Sequence, residues 1–174
     1  MPTQIHKGRG AVSSPQGRFE QRQIEPEGAD DDATAAPATV LRAMLARRII
    51  SHNQSPDSPF DRSINPYQGC EHGCVYCYAR PSHSYLDLSP GLDFETQIFY
   101  KPNAAERLLA EWSRAAYECE PITIGANTDP YQPLEKVQRV TRQLLELFLK
   151  HRHPVNLITK GTLILRDIDI LSEL

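Results

Sequence analysis

No stretch of this 174-residue chain comes near the ~18 consecutive apolar residues that a membrane-crossing helix requires. The amino terminus also lacks the basic-then-apolar layout of a secretory leader. Without either feature the chain is expected to be cytoplasmic, with no membrane partner. An excess of positive charge is missing too. Residues 1–62 hold eight Lys or Arg against eight Asp or Glu, and the remainder holds eleven against fourteen, for a net charge of −3. Nucleic-acid binders usually carry a basic stripe or patch, so a nucleic-acid partner stays open but gains no support from charge. Cysteine is scarce and unevenly spread: of four, three fall within eight residues and Cys119 stands alone. That is not an even disulfide framework, and in a reducing compartment a tight cysteine cluster more often binds metal. A hydrophobic content of 40% is enough for a real core over about one domain.

The cluster itself is Cys70-x3-Cys74-x2-Cys77, within Gly69-Cys70-Glu71-His72-Gly73-Cys74-Val75-Tyr76-Cys77-Tyr78-Ala79-Arg80. Three thiolates at this spacing can converge on one soft metal centre, which leaves iron–sulfur clusters, zinc and copper(I) as candidates. Structural zinc wants four protein ligands; His72 or His83 would have to supply the fourth. A cubane cluster on three cysteines instead keeps one iron open to a small molecule.

Along the chain, residues 1–38 are poor in branched apolar and aromatic residues and carry an acidic knot at Asp30-Asp31-Asp32. Such a segment is expected to be a mobile tail or a strap laid over the domain. Gly8-Arg9-Gly10 has neither the Lys-Ser/Thr ending nor the preceding strand of a phosphate loop. Residues 39–62 read as a helix and linker, because Val40, Leu41, Met44, Leu45, Ile49 and Ile50 recur at helical spacing before Ser55-Pro56-Asp57-Ser58-Pro59 breaks any helix. From 63 onward strands and helices alternate. Ser63 to Tyr67 leads into the cysteine loop, and Phe94 to Tyr100 has the composition of a second strand. Asn103 can cap a helix striped by Leu108, Leu109, Trp112 and Ala116. Pro121 to Ala126 is a third strand, Leu134 to His151 a longer helix, Val155 to Thr159 a fourth strand, and a last helix starts near Ile164 or Arg166.

Alternation of this kind predicts an α/β fold with a parallel sheet and right-handed crossovers. Working groups in such folds gather at the carboxyl ends of the strands. Each strand here ends in a polar cluster: the cysteine loop, then Lys101 and Asn103, then Asn127, Thr128 and Asp129, then Thr159 and Lys160. Those clusters are expected to share one rim. Cys119 precedes the third strand, on the opposite side, and reads as a buried small hydrophobe.

With aromatic Tyr76 just before the last cysteine, the motif at the end of a first strand and βα units after it, the chain resembles the radical S-adenosylmethionine superfamily. The wider context Asn65-Pro66-Tyr67-x2-Gly69-Cys70, with Thr128-Asp129-Pro130-Tyr131-Gln132-Pro133 and Thr159-Lys160, is similar to the branch related to spore photoproduct lyase, often labelled DNA repair photolyase-like. The resemblance covers residues 60–174. It implies a partial (βα)6 barrel, of which about the first four βα units are present behind an extended amino-terminal arm, so that residues 63–174 form the amino-terminal part of the core domain. It implies a [4Fe–4S] cluster on Cys70, Cys74 and Cys77, with S-adenosylmethionine on the unligated iron and a 5′-deoxyadenosyl radical that takes hydrogen from a substrate. A small electron donor of flavodoxin or ferredoxin type is implied as partner. Tyr76 would lie by the adenine and Lys160 by the methionine carboxylate, where a cation is apt. Tyr100-Lys101-Pro102-Asn103 stands where the superfamily usually carries a Gly-Gly-Glu-like stretch for the methionine ammonium, and Asn103, Asn127, Thr128 or Asp129 would supply oxygens instead. Repair of a DNA lesion is the less favoured chemistry, given the charge. The rival expectation is a non-catalytic iron–sulfur or zinc-binding module. A six-unit barrel would need two more strands, so the chain is also expected to be an amino-terminal fragment, a truncated gene product or half of a split protein.

Overall fold

The computed structural model describes residues 8–19 and 37–174; the acidic knot at Asp30 to Asp32 lies outside the described residues. Among the described residues there are seven short strands, β1 (Val40–Ala43), β2 (Ile50–His52), β3 (Arg62–Ile64), β4 (Tyr67–Gln68), β5 (Gln97–Tyr100), β6 (Ile122–Ile124) and β7 (Val155–Leu157). The α-helices are α1 (Asp93–Thr96), α2 (Ala104–Trp112), α3 (Glu135–Gln138), α4 (Val140–His151) and α5 (Ile168–Leu171). Two compact units emerge, one of Met1–Arg42 with Gln68–Ile98, the other of Ala43–Tyr67 with Phe99–Leu174.

The second unit is built on a four-stranded sheet in the order β2-β3-β6-β7. β2 runs antiparallel to β3, while β3, β6 and β7 are parallel, with Ile64 opposite Ile124 and Ile124 opposite Leu157. Short β-branched runs suit this pleated, covered position. Ile64, Ile122 and Ile124 are fully buried, as are Leu108 of α2 and Leu144, Leu145 and Phe148 of α4. Trp112 meets Phe148 edge-on at 5.2 Å and stacks on His153 at 4.6 Å, so the aromatic end of α2 packs on the end of α4.

The expected parallel succession of four strands is corrected at its second member. β5 takes no part in this sheet; it lies in a separate three-stranded sheet of order β1-β5-β4, and β3 pairs directly with β6. Pro66 divides the first strand into β3 and β4, and the Lys101 amide donates to the Pro66 carbonyl at 3.1 Å. A proline cannot continue a ladder, so the chain's pairing changes there. The architecture is mixed α/β with two sheets, and no closed barrel forms among the described residues.

Three local expectations also change. Where a helix was expected over Thr39 to Ile50 the backbone is extended, forming β1 and the start of β2. Asn103 clasps both backbone groups of Ala46, at 2.9 and 3.0 Å, and the buried Glu111 carboxylate accepts the Ile49 amide at 2.5 Å. These long-range bonds replace the i to i−4 bonds a helix would have made. Phe94 to Thr96, expected as strand, forms the single helical turn α1 before β5 begins. The helix expected from Leu134 to His151 breaks into α3 and α4 at Arg139, whose φ is +52°. The reason is Glu135: its carboxylate accepts the amides of Thr141 and Arg142, capping α4 from one turn upstream.

Candidate functional site

The cysteine loop belongs to the first unit and has no regular secondary structure across Cys70 to Cys77. Its entry is fixed by Gly69, at φ +76°; a Cβ there would fall 2.9 Å from the Gln97 carbonyl and 3.0 Å from that of Phe94. Only glycine meets both demands. The next residue, Cys70, donates its amide to the Phe94 carbonyl at 2.8 Å and is buried against Ala79 and Phe94, with Cys77 packed beside them. Gly73 is again left-handed, at φ +61°. Past the last cysteine, Arg80 donates to the Cys74 carbonyl at 3.0 Å and to the Gly91 carbonyl at 3.2 Å, and its guanidinium lies 5.5 Å from the Phe94 ring centre. Val75, Tyr76 and Tyr78 are exposed on the outer side of the loop.

Cys70, Cys74, Cys77 and Cys119 form no disulfide. Among the described residues no group of three or more His, Cys, Asp or Glu side chains is gathered as a metal site, and this includes His72 and His83. His83 is buried edge-on to Phe94 at 5.4 Å, and burial pushes its pKa below the ordinary histidine value. The donor chemistry nevertheless suits a soft metal. Three thiols stand on one eight-residue loop whose turns are set by glycine, and thiolate ligation is coupled to deprotonation and to metal uptake itself.

In the second unit the strand ends are tied to one another. Asn65, after β3, accepts the Asn127 amide on its side-chain oxygen at 2.8 Å, and its carbonyl accepts the Lys101 ammonium at 2.7 Å. Thr128 is buried and donates its hydroxyl to the Tyr67 carbonyl at 2.8 Å. Asp129 accepts the Thr159 hydroxyl at 2.7 Å and the Lys160 amide at 2.9 Å, joining the loops after β6 and β7, and it also accepts the Tyr131 amide at 2.8 Å. The structure therefore brings Lys101, Asn127, Thr128, Asp129 and Lys160 to the edge where the parallel strands end. Asn103 is turned to Ala46 instead. Burial lowers the Lys101 pKa to about 8, so its ammonium sits in a poorly solvated place with one carbonyl against it. Lys160 is exposed.

Several residues with evident positional roles carry no signal in sequence. Glu95 is fully buried and pairs with Arg80. Glu135 is fully buried too, takes the Tyr67 hydroxyl and pairs with Arg166 at 2.7 Å. Burial, then the Glu135 charge, pushes the Tyr67 hydroxyl well above the ordinary tyrosine range. Cys119, expected in the core, is exposed. No described helix is long and apolar enough to cross a membrane.

The Radical SAM superfamily pattern matches residues 64–174. An uncharacterized protein of Mycobacterium tuberculosis is 41% identical over 115 residues, which are 66% of this chain and 34% of the relative. An uncharacterized protein of Methanocaldococcus jannaschii is 27% identical over 128 residues, 74% of this chain and 45% of its own length. A protein of Acidianus two-tailed virus, also uncharacterized, is 24% identical over 115 residues, covering 64% and 38%. The chain thus spans about a third of the length of its mycobacterial relative and under half of the other two. No solved structure matches. With the family pattern running from the end of β3 through the cysteine loop and across β6 and β7, the chain belongs to the radical SAM superfamily.

Proposed function

We propose that this chain supplies the cluster-binding part of an enzyme that cleaves S-adenosylmethionine reductively and turns the resulting radical on a substrate. The observation that carries the reading is Cys70-x3-Cys74-x2-Cys77 on a glycine-set loop inside the segment that matches the superfamily. Cys70, Cys74 and Cys77, as thiolates, would hold three irons of a [4Fe–4S] cluster. When bound, such a cluster supplies one electron that divides S-adenosylmethionine into methionine and a 5′-deoxyadenosyl radical, the species that abstracts hydrogen.

The chain's own residues would bind and orient the cofactor. The Tyr76 backbone is assigned to the adenine and the Lys160 ammonium to the methionine carboxylate, an ion pair of sound chemistry. Asn127, Thr128 and Asp129 offer oxygens for the methionine ammonium. Lys101 is assigned to the same group of contacts, its charge made costly by burial and so eager for an anion. Asn103 is the weakest member of the set, because its amide is engaged with Ala46. A small flavodoxin- or ferredoxin-type protein would deliver the electron. The Asn65-Pro66-Tyr67 and Thr128-Asp129-Pro130 contexts favour the branch related to spore photoproduct lyase, while a net charge of −3 favours a substrate other than duplex DNA.

The test is anaerobic reconstitution with iron and sulfide, followed by dithionite and S-adenosylmethionine. Cluster absorbance and release of 5′-deoxyadenosine are expected. Protein that takes up zinc, holds no iron or sulfide and leaves S-adenosylmethionine intact would replace this reading with that of a zinc-stabilised module. A salt-sensitive, tight gel shift with duplex DNA would reverse the substrate preference.

A further inference from the structure

Within the first unit, the amino-terminal residues lie directly on the cysteine loop. A Cβ built on Gly10 would fall 2.1 Å from the Gly73 carbonyl oxygen and 2.7 Å from its carbon. Seen from the other side, a Cβ on Gly73 would meet the Gly8 carbonyl at 3.1 Å and the Gly10 amide at 3.2 Å. Two backbones touch here with no side chain between them, at the residue just before Cys74. The same segment closes over a buried charge. The Glu95 carboxylate, with no solvent exposure, accepts the Gly10 amide at 3.0 Å and the Ala11 amide at 2.9 Å, and it pairs with Arg80. Arg9 donates to the Glu95 carbonyl at 2.8 Å and to the Thr39 hydroxyl at 2.9 Å, and Thr39 in turn donates to Glu71 at 2.6 Å.

We infer that residues 8–11 are a positioning strap for the cysteine loop, with Gly10, Glu95 and Arg80 as the positioning residues that fix where Cys74 stands. This rests on the reading of Cys74 as a cluster ligand. The loop has no ladder or helix of its own; the Cys77 amide closes a turn on the Cys74 carbonyl at 3.3 Å, and contacts from outside the loop supply further support. Arg80 is the link: one guanidinium nitrogen faces both the Cys74 carbonyl and the Glu95 carboxylate. A buried carboxylate that loses hydrogen-bond donors must re-pair or draw in water. Loss of the two strap amides would pull Arg80 toward Glu95 and release the Cys74 carbonyl. The Gly10 contact acts separately, since a clash with a backbone oxygen cannot be relieved by a rotamer.

The experiment uses the whole chain, first metal-free, with per-cysteine alkylation by iodoacetamide read by mass spectrometry. Exposed Cys119 is the internal standard. Gly10→Ala and Glu95→Gln are compared with Val12→Ala, an exposed position further along the same segment. In Gly10→Ala, Cys74 is expected to react about tenfold faster relative to Cys119, as local opening of the loop is made easier. Val12→Ala should stay close to the parent, and far-UV circular dichroism should not change. After anaerobic reconstitution, Gly10→Ala and Glu95→Gln should bind less iron and give an altered electron paramagnetic resonance signal. Unchanged Cys74 reactivity in both variants would overturn the strap. So would an equal rise at Cys70, Cys74 and Cys77 with loss of circular dichroism in both, because the segment would then hold the unit in general. If Cys74 responds while neither parent nor variant takes up iron and sulfide, the strap stands and the cluster reading falls.

Discussion

The two units hold their candidate residues in different ways. In the first, the apolar cluster around the cysteine loop comprises Cys70, Ala79 and Phe94 with Cys77 beside them, and backbone contacts at Gly69, Gly73 and Gly10 do much of the shaping. In the second, fully buried Ile64, Ile122, Ile124, Leu144, Leu145 and Phe148 carry a parallel sheet whose strand ends are then joined by Asp129 and Asn65. Both use a buried glutamate to collect backbone amides: Glu95 takes those of Gly10 and Ala11, Glu135 those of Thr141 and Arg142. In the second unit that carboxylate reinforces a core that hydrophobic burial already organises. Around the cysteine loop the apolar cluster among the described residues is small, so charge and glycine carry more of the shape. A metal-binding loop gains folding free energy from its ligand, and the contrast predicts that damage to one unit need not be felt in the other.

The largest effect is expected from Cys77→Ala. Three thiolates are the minimum for the proposed cluster, so iron and sulfide should be lost completely on reconstitution. The single tryptophan, Trp112, lies in the second unit and reports on it alone. Its fluorescence melt should be unchanged in metal-free Cys77→Ala; a clear shift there would break the separation. Next in size is Phe148→Ala. Phe148 is fully buried and meets Trp112 edge-on, and removing such a side chain costs about 3–5 kcal/mol. The Trp112 denaturation midpoint should fall steeply. Alkylation rates of Cys70, Cys74 and Cys77, measured under conditions where the second unit is still folded, should not.

Lys101→Met is expected to have a smaller, pH-dependent effect. Burial depresses the folded-state pKa of Lys101 to about 8, against an ordinary 10.5. Below pH 8 the group is charged in both states and the folded state bears the desolvation cost. As pH rises from 8 toward 10.5 the folded state sheds its proton first, the unfolded chain binds more protons, and stability rises. The metal-free methionine variant should therefore be the more stable near pH 7, less what it loses with the bond to the Asn65 carbonyl. That advantage should shrink across the window by at most about 1.4 kcal/mol per pH unit. A gap between the two proteins that does not narrow would mean that the Lys101 ammonium is better solvated than its position implies.

How far the sequence predicts this structure depends on whether a residue's role is local. α2, β6 and β7 are found from apolar periodicity and composition, although of the stripe expected on α2 only Leu108 is fully buried, Leu109 and Ala116 being exposed and Ala116 lying past the helix end; the cysteine loop is found because its spacing is chemistry in itself. The strand-end clusters on β6 and β7 follow from topology once those strands are in place. What escapes is long-range polar pairing. Val40, Leu41, Met44 and Leu45 repeat at helical spacing, yet Val40, Leu41 and Leu45 are exposed and the segment is extended, because its amides go to Asn103 and Glu111 far along the chain. Glu95, Glu111 and Glu135 look like surface residues in sequence, where glutamate is almost never buried unless paired. Their burial is decided by amides and guanidinium groups that no window of sequence places near them. The position of β5 outside the parallel sheet escapes for a related reason: Pro66 weakens a strand assignment, but it does not say which neighbour the divided strand will choose.

The smallest expected effect concerns the break between α3 and α4. Arg139 is exposed and held at φ +52°, a region that costs a residue with a Cβ about 1–2 kcal/mol and glycine almost nothing. Glycine in turn gives the unfolded chain more freedom, which removes about 0.4–1 kcal/mol of that gain. Arg139→Gly should therefore raise the stability of the second unit by about 0.5 kcal/mol, seen as a small upward shift of the Trp112 transition with the cysteine loop untouched. The sign is the informative part. If Glu135 is what forces the left-handed turn, by holding the amides of Thr141 and Arg142 while staying buried beside Arg166, glycine removes strain from a turn that must exist. If the turn instead depends on the arginine side chain, the same substitution destabilises, and the buried carboxylate loses its part as the organiser of this unit's longest helix.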